Sequence, residues 1–277
     1  MSEAPILFEV EDGVGIISFN VPDRLNAFSD AMHDVIQDVA VAAEQDERVR
    51  VVVLTGKGRA FCAGADMDRL NRLIEGRGTN YEIPRQGIVP ERMKAIDAPA
   101  ELNSIYSFPL ALSKPVIGAV NGPAVGAGFV MAVNCDMRFA SSKAFFNAAF
   151  GARGLIAEAG LAWSLPRLVG LGHAADILYS GRRIGAEEAQ AMGLVNRVLE
   201  PDALIGFVMD YAREMAATVA PRSLRLMKRQ LQRSATQSFG ESAGEAHDLL
   251  VEALAHDDFL EGVRSFQEKR APRFTGR

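Results

Sequence analysis

The sequence predicts a layered α/β fold, on three grounds. Residues 51–54 (Val-Val-Val-Leu) and 116–120 (Val-Ile-Gly-Ala-Val) are short continuous apolar runs, the pattern of strands covered on both faces. Each run leads into a turn dense in small residues, at 56–66 and 121–128. Stretches with apolar residues at helical spacing alternate with these runs, the order that a sheet covered by helices requires.

In chain order, residues 6–10 and 14–19 flank Glu11-Asp12-Gly13 and read as an opening β-hairpin. Residues 22–27 form a loop. Ser29 stands at a helix N-cap position, with Met32, Val35, Ile36 and Val39 at helical spacing behind it. After strand 51–54, Asp66 or Asp68 is placed to cap a following helix. Residues 76–99 carry Gly-Arg-Gly-Thr-Asn, scattered prolines and mixed charge. They read as a mobile surface excursion, either a lid or binding loop or a tolerated insertion. A helix is expected over about 99–112. Residues 137–140 and 144–146 read as short strands. Residues 153–160 form a loop into a helix through Trp163 and Leu168, which Gly170 and Gly172 are expected to end. Beyond Pro201 the pattern is almost wholly helical, with Leu204, Phe207, Val208 and Tyr211 on one face. Further helices run to Phe266, and the tail at 268–277 is basic.

The stretch 116–136 organises the rest. It reads as a buried strand, a tight Asn121-Gly122-Pro123 turn, and a helix opening at Gly126-Ala127-Gly128. A helix start leaves backbone N–H groups without intrahelical partners and carries the positive pole of the helix dipole. Small residues there admit a ligand or another backbone. The arrangement suits an anion, or an oxygen that becomes anionic during a reaction. It also suits a strand-to-helix turn packed with small residues and nothing more.

Composition removes several function classes. With 277 residues the chain can bury a full core, and 48% hydrophobic against 23% charged residues is an ordinary globular balance. A net charge of −5 favours neither nucleic acid nor an anionic membrane. No apolar run reaches the length of a membrane span, and the N-terminus lacks a signal-peptide pattern. Cys62 and Cys135 both sit in apolar surroundings, which points to packed, reduced thiols and a cytoplasmic setting rather than a disulfide. No phosphate loop, complete dinucleotide fingerprint, HExxH or GxSxG is present. His33, His173, His247 and His256 are far apart, so each is expected on a helix surface and no metal site is expected. Backbone donors and carboxylates remain.

At this point the motifs carry a resemblance. AFCAGADM (60–67) and AVNGPAVGAGFVMAVNCDMRFA (119–140) strongly resemble the enoyl-CoA hydratase/isomerase, or crotonase, family. The likeness extends through RLNAFS (24–29), GLIAEAGLAWSLPRLVG (154–170), GRRIGAEEAQAMGLVNRV (181–198) and FQEKR (266–270). It implies a crotonase-like spiral of ββα units with the acyl-CoA site over 1–200, and a helical C-terminal trimerisation region over 201–277. It also implies a homotrimer or a dimer of trimers. Coenzyme A would enter as part of the substrate, with no separate cofactor.

By the same resemblance the thioester oxygen lies in an oxyanion hole made by two backbone N–H groups, which fall at Ala65 and Ala127. Ala127 stands where the family usually has glycine; its N–H is kept and a helical φ is open to alanine. The coenzyme would meet the chain near Arg24, Asn26, Ala27, Ala63 and Ala65. Phe266 and Lys269 match residues of a C-terminal helix that lies near the coenzyme phosphates, often in the neighbouring subunit. Asp66 is expected as a cap or loop brace. Arg59 and Arg153 are candidates for steering phosphates, or plain solvated charges.

The departures bear on the reaction. Family hydratases hold one water between two glutamates, at positions that here are Val130 and Phe150. Neither side chain can hold or deprotonate water. Glu158 is the candidate replacement. Residues 154–160 resemble the peroxisomal type of 3,2-trans-enoyl-CoA isomerase, whose single glutamate lies at this place. One carboxylate suffices to move a proton from C2 to C4 of a 3-enoyl-CoA. An apolar pocket of Phe129, Val130, Phe150 and Leu155 would exclude water and raise the proton affinity of Glu158. A hydratase or acyl-CoA hydrolase using Glu158 alone, and a CoA-binding protein without chemistry, stay open. RNA binding, known among relatives, is disfavoured by the acidic balance.

Overall fold

The computed structural model describes residues 4–76 and 89–276. The hairpin forms as expected: β1 (Ile6–Glu11) and β2 (Val14–Phe19) pair antiparallel, closed by Asp12 and Gly13 at positive φ. α1 (Asp30–Gln45) crosses over to β3 (Val51–Gly56), which lies parallel to β2. α2 (Met67–Ile74) and the four-residue α3 (Phe108–Ala111) precede β4 (Val116–Val120). Then come β5 (Ala124–Val125), α4 (Ala127–Asn134), β6 (Met137–Ser141) and β7 (Phe145–Asn147). α5 (Leu161–Ser180), β8 (Ile184–Gly185), α6 (Ala186–Ala191) and β9 (Arg197–Leu199) complete the alternating part. Four helices follow: α7 (Pro201–Thr218), α8 (Pro221–Ser234), α9 (Phe239–Leu254) and α10 (Asp257–Glu268).

The main sheet has the order β1-β2-β3-β4-β6-β9, parallel from β2 onward, and β5-β7-β8 form a second, smaller sheet. Side chains alternate across a strand, so a run that is apolar throughout feeds two cores. In β3, Val52 and Leu54 join the larger core under α1, α4 and α5, while Val51 and Val53 face Leu204, Val208 and Ala212 of α7. In α7, Leu204 and Val208 are buried, and Phe207 and Tyr211 pack edge-on against Phe139 at 5.2 and 5.3 Å. Cys62 and Cys135 are free and buried, and burial pushes both thiols up to about 12. No helix among the described residues is long and apolar enough to cross a membrane.

Three expectations need correction. Ser29 occupies the N-cap position of α1 but its side chain makes no capping hydrogen bond. The helix expected over 99–112 shrinks to α3, preceded by a 3₁₀ turn at Glu91–Ala95 and by irregular turns. Pro109 accounts for this: it has no N–H to donate and fits only the first turn of a helix, so α3 cannot start earlier. Gly170 breaks the helix that begins at Leu161 (φ 76°, ψ 162°), yet α5 resumes and runs to Ser180, because Ala174 and Ile177 give it a second buried face. Gly172 ends nothing. Within the excursion proposed at 76–99, residues 77–88 lie outside the described residues.

The two small-residue turns meet backbone to backbone. Cys62 N–H donates to the Pro123 carbonyl (3.0 Å), and Val125 N–H donates to the Cys62 carbonyl (2.9 Å), a parallel bridge pairing 62 with 124. Continued in step, that register brings 64 beside 126 and 65 beside 127. The close approach agrees: a Cβ on Gly126 would lie 3.7 Å from the Gly64 Cα. Gly126 holds φ 51° and ψ −116°, a conformation open to glycine, and so turns the chain from β5 into α4. At Gly128 the constraint is space, since a Cβ there would overlap the Cys62 carbonyl oxygen. Gly128→Ala is therefore expected to destabilise the protein by about 1–3 kcal/mol despite alanine's better helix propensity. A urea midpoint measures this, and an unchanged midpoint would mean that α4 can back away from the turn.

Candidate functional site

Both turns form one wall of a cleft of about 2440 Å³. Ala65 and Ala127 line it, and both are half-buried. Neither amide finds a hydrogen-bond partner among the described residues. Around Ala65 the neighbouring groups are committed: the Gly64 carbonyl accepts from Phe28 N–H (2.7 Å), and Asp66 N–H donates to the Phe28 carbonyl (3.2 Å). At Ala127 the amide is the first of α4, so no carbonyl one turn earlier in the helix exists to receive it. Unpaired N–H groups on two neighbouring turns that line one cleft are the kind of donors that can stabilise an oxygen gaining negative charge.

Glu158 lies on the same cleft, half-buried, in the loop before α5. Burial raises its carboxyl above the ordinary value, and the charge of Arg69 partly opposes the rise. Its side chain has no hydrogen bond or ion pair among the described residues. The backbone directly after it is unusual: Ala159 (φ 48°) and Gly160 (φ 76°) are both left-handed, and Glu158 C=O accepts from Leu161 N–H at 2.9 Å. An alanine held at positive φ costs energy, and such strain gathers at functional loops. The first turn of α5, which follows the loop, is tied to α4. Ser164 Oγ donates to Asn134 Oδ1 (2.9 Å), and Asn134 Nδ2 donates to the Tyr106 carbonyl (3.2 Å).

The residues expected around the coenzyme divide in two. Arg24, Ala27 and Ala63 line the cleft. Arg24 bridges Asp66 (3.1 Å) and Asp68 (3.0 Å), and these acids raise its proton affinity further. Asp66 is almost fully buried and accepts from Asp68 N–H (2.8 Å), so it caps α2 and braces Arg24. Asn26 faces inward, with no exposed surface. Its Nδ2 donates to the Ala60 (2.8 Å) and Lys57 (3.0 Å) carbonyls and its Oδ1 accepts from Val21 N–H (2.9 Å). Those three bonds use the side chain as a loop brace, with Leu25 and Asn26 both left-handed.

The apolar positions also divide. Val130, Phe150 and Leu155 line the cleft, Val130 and Phe150 being nearly inaccessible. Phe129 belongs to the core instead, packed against Phe146 at 6.2 Å, because on α4 it turns toward the smaller sheet. Phe266 and Lys269 sit at the end of α10, and neither lines the cleft of the same chain. Phe266 is 86% exposed. Arg59 and Arg153 lie at the cleft margin, both exposed. Among the described residues no group of three or more His, Cys, Asp or Glu could hold a metal ion.

One pair escaped the sequence. His33 was expected on a helix surface, but it lines the cleft with Tyr106, whose hydroxyl lies 3.0 Å from His33 Nε2. Phe28 packs against both rings, at 5.1 and 5.7 Å. Burial, aided by Arg69, lowers the imidazole to about 4, so it is neutral at physiological pH. Residues 33 and 106 are 73 positions apart, and only the fold brings them together. Position 33 falls one residue after Met32, at the edge of the apolar stripe of α1, which was the available signal.

Comparison with known proteins places the chain in a family. The family model described as enoyl-CoA hydratase/isomerase matches residues 9–277. The chain is 34% identical over 272 residues to the 1,2-epoxyphenylacetyl-CoA isomerase of Escherichia coli, covering 98% of each protein. It is 36% identical to a putative enoyl-CoA hydratase of Thermus thermophilus, over 97% of this chain and all of that one. Among solved structures, an enoyl-CoA hydratase subunit I from Geobacillus kaustophilus superposes with a TM-score of 0.82 at 34% identity, covering 99% of this chain and 98% of that one. A putative enoyl-CoA hydratase/isomerase family protein from Hyphomonas neptunium gives 0.85 at 31% identity over the same shares. With the motifs, the cleft and the whole length of the chain in agreement, the protein belongs to the enoyl-CoA hydratase/isomerase family.

Proposed function

We propose that the protein is an acyl-CoA isomerase that moves a double bond through a thioester enolate, taking a 3-enoyl-CoA to the 2-enoyl-CoA. The observation that supports this is that Ala65, Ala127 and Glu158 line one cleft, where Glu158 is a half-buried carboxylate raised by desolvation and without a hydrogen bond among the described residues. With the thioester oxygen on the two amides, loss of the C2 proton places negative charge where the donors and the α4 dipole stabilise it. Glu158 takes that proton and, as the carboxylic acid, returns it to C4, so the double bond shifts without net gain or loss of atoms. Val130 and Phe150, apolar on the cleft wall, leave no carboxylate pair to hold water and disfavour hydration. The Escherichia coli relative, named as an isomerase of an acyl-CoA, fits this reading. A hydratase or hydrolase in which Glu158 alone activates water is the second reading, favoured by the names of several relatives.

In this reading Arg24, Ala27 and Ala63 meet the coenzyme, and Asn26 and Asp66 hold their loop in shape. Phe266 and Lys269 would complete a neighbour's site in a homotrimer or dimer of trimers. The exposed apolar residues Phe239, Leu250, Val251, Leu254, Phe259 and Leu260 on α9 and α10 favour such an assembly.

Glu158→Gln is expected to lower 3-enoyl-CoA isomerisation and C2 proton exchange by about 10²–10⁴-fold. Exchange at the wild-type rate would remove Glu158 from the mechanism, and hydration faster than isomerisation would favour the second reading. Ala127→Pro removes one N–H at the first helical position, where proline is well accommodated. It should keep the melting temperature while costing about 10²–10³ in kcat/KM; full activity would exclude that amide as a donor.

The pH dependence has a definite sign. The catalytic form of Glu158 is ionised, so kcat/KM should fall as pH drops through a pKa above the ordinary 4.5. For stability, a carboxyl whose folded pKa is raised favours folding below its unfolded pKa, and that advantage is lost as pH rises through the folded one. Glu158→Gln should therefore be more stable than the wild type near pH 8, with the gap closing toward pH 4 in paired melting curves. A gap that widened on acidification would contradict the desolvated environment.

A further inference from the structure

We propose that His33, oriented by Tyr106, selects acyl groups that carry a hydrogen-bonding oxygen beyond the reacting carbons. The inference deepens the acyl-CoA reading above by naming the substrate class of that cleft. His33 and Tyr106 line the same cleft as the apolar Met67, Leu70, Leu102 and Ile105, and the charges of Arg69, Asp30 and Asp34 reach the imidazole. A fatty acyl chain has no use for polar atoms there, and desolvating them against hydrocarbon is unfavourable.

The imidazole is neutral under working conditions, so it offers one donor and one acceptor. Nε2 is engaged by the Tyr106 hydroxyl at 3.0 Å, while Nδ1 has no partner among the described residues. The Tyr106 contact couples the tautomer to the hydroxyl: if the hydroxyl donates to Nε2, Nδ1 carries the proton and meets an acceptor oxygen, and the reverse applies if it accepts. Phe28, which has no exposed surface, packs against both rings of the pair, and Tyr106 meets His33 at 5.6 Å, edge to face. Phe28 is itself bonded through its backbone to Gly64 and Asp66, on either side of Ala65. The polar pair is thus tied to the same loop that supplies one candidate oxyanion donor.

The test is binding, not turnover, so it does not depend on the isomerase assignment. Affinities of butyryl-CoA, phenylacetyl-CoA and the three monohydroxyphenylacetyl-CoA isomers are measured by calorimetry on the wild type, His33→Leu and Tyr106→Phe. At least one hydroxylated isomer is expected to bind the wild type about 10-fold tighter than phenylacetyl-CoA, the worth of one neutral hydrogen bond. In His33→Leu that preference should fall to within about 2-fold, while butyryl-CoA affinity changes by less than about 3-fold. Tyr106→Phe, which keeps the ring, should lose part of the preference by freeing the imidazole tautomer. The proposal is overturned if the wild type prefers no hydroxylated isomer, or if the preference survives His33→Leu. Loss of butyryl-CoA binding by the wild type would instead count against the acyl-CoA reading itself, and with it the proposal.

Discussion

Two hydrogen bonds fix the relation on which the cleft depends: Cys62 N–H to the Pro123 carbonyl, and Val125 N–H to the Cys62 carbonyl. They join the ends of two parallel strands that have already left the main sheet. One turn follows β3 and the other follows β4, so a register set between two strands is carried beyond their last residues into irregular chain. The glycines are what permit it. Any side chain at Gly128 would push α4 off the Cys62 carbonyl, and the start of α4 would no longer lie beside Ala65. Small residues that look like mere packing therefore decide whether two peptide groups can act on one atom.

Around this frame the charges are arranged at some cost to the folded state. Glu158 is desolvated and lacks a hydrogen bond among the described residues, and its neighbouring backbone is left-handed at an alanine. Asp66, by contrast, is more deeply buried yet answered on two sides, by Arg24 and by the Asp68 amide. The contrast is what separates a brace from a candidate reactive group: a brace has its polar valences filled by the protein. Arg69 stands between the two behaviours. It pairs with Asp30 at 2.7 Å while its field reaches both Glu158 and His33. It restrains the proton affinity of the carboxyl and suppresses protonation of the imidazole at once.

Much of this was legible in the sequence, for stated physical reasons. Uniform apolarity at 51–54 and 116–120 marked strands with two covered faces, and β3 and β4 indeed serve both cores. The small-residue turns and the helix start at 126–128 marked a place where backbone donors stay unused. What local pattern could not supply was direction and company. Phe129 and Val130 are adjacent apolar residues on one helix, and only packing against Phe146 decides that the first is core and the second cleft. The resemblance placed the coenzyme against the backbone near Asn26; what it could not supply was the role of the side chain, whose three bonds brace the loop from inside. His33 and Tyr106 needed the tertiary fold to meet at all. The helix expected before 112 failed for a local reason, Pro109, that was in plain view.

The two thiols give the molecule one further property. Both are free and buried, and both are pushed up to about 12, so almost none of either is thiolate near neutrality. Alkylating or oxidising reagents can then act on the chain only when its interior opens. Cys62 lies in the bridged turn itself and Cys135 at the far end of α4. Their relative labelling rates would thus report, with no residue substituted, whether the turn loosens before the helix or both give way together.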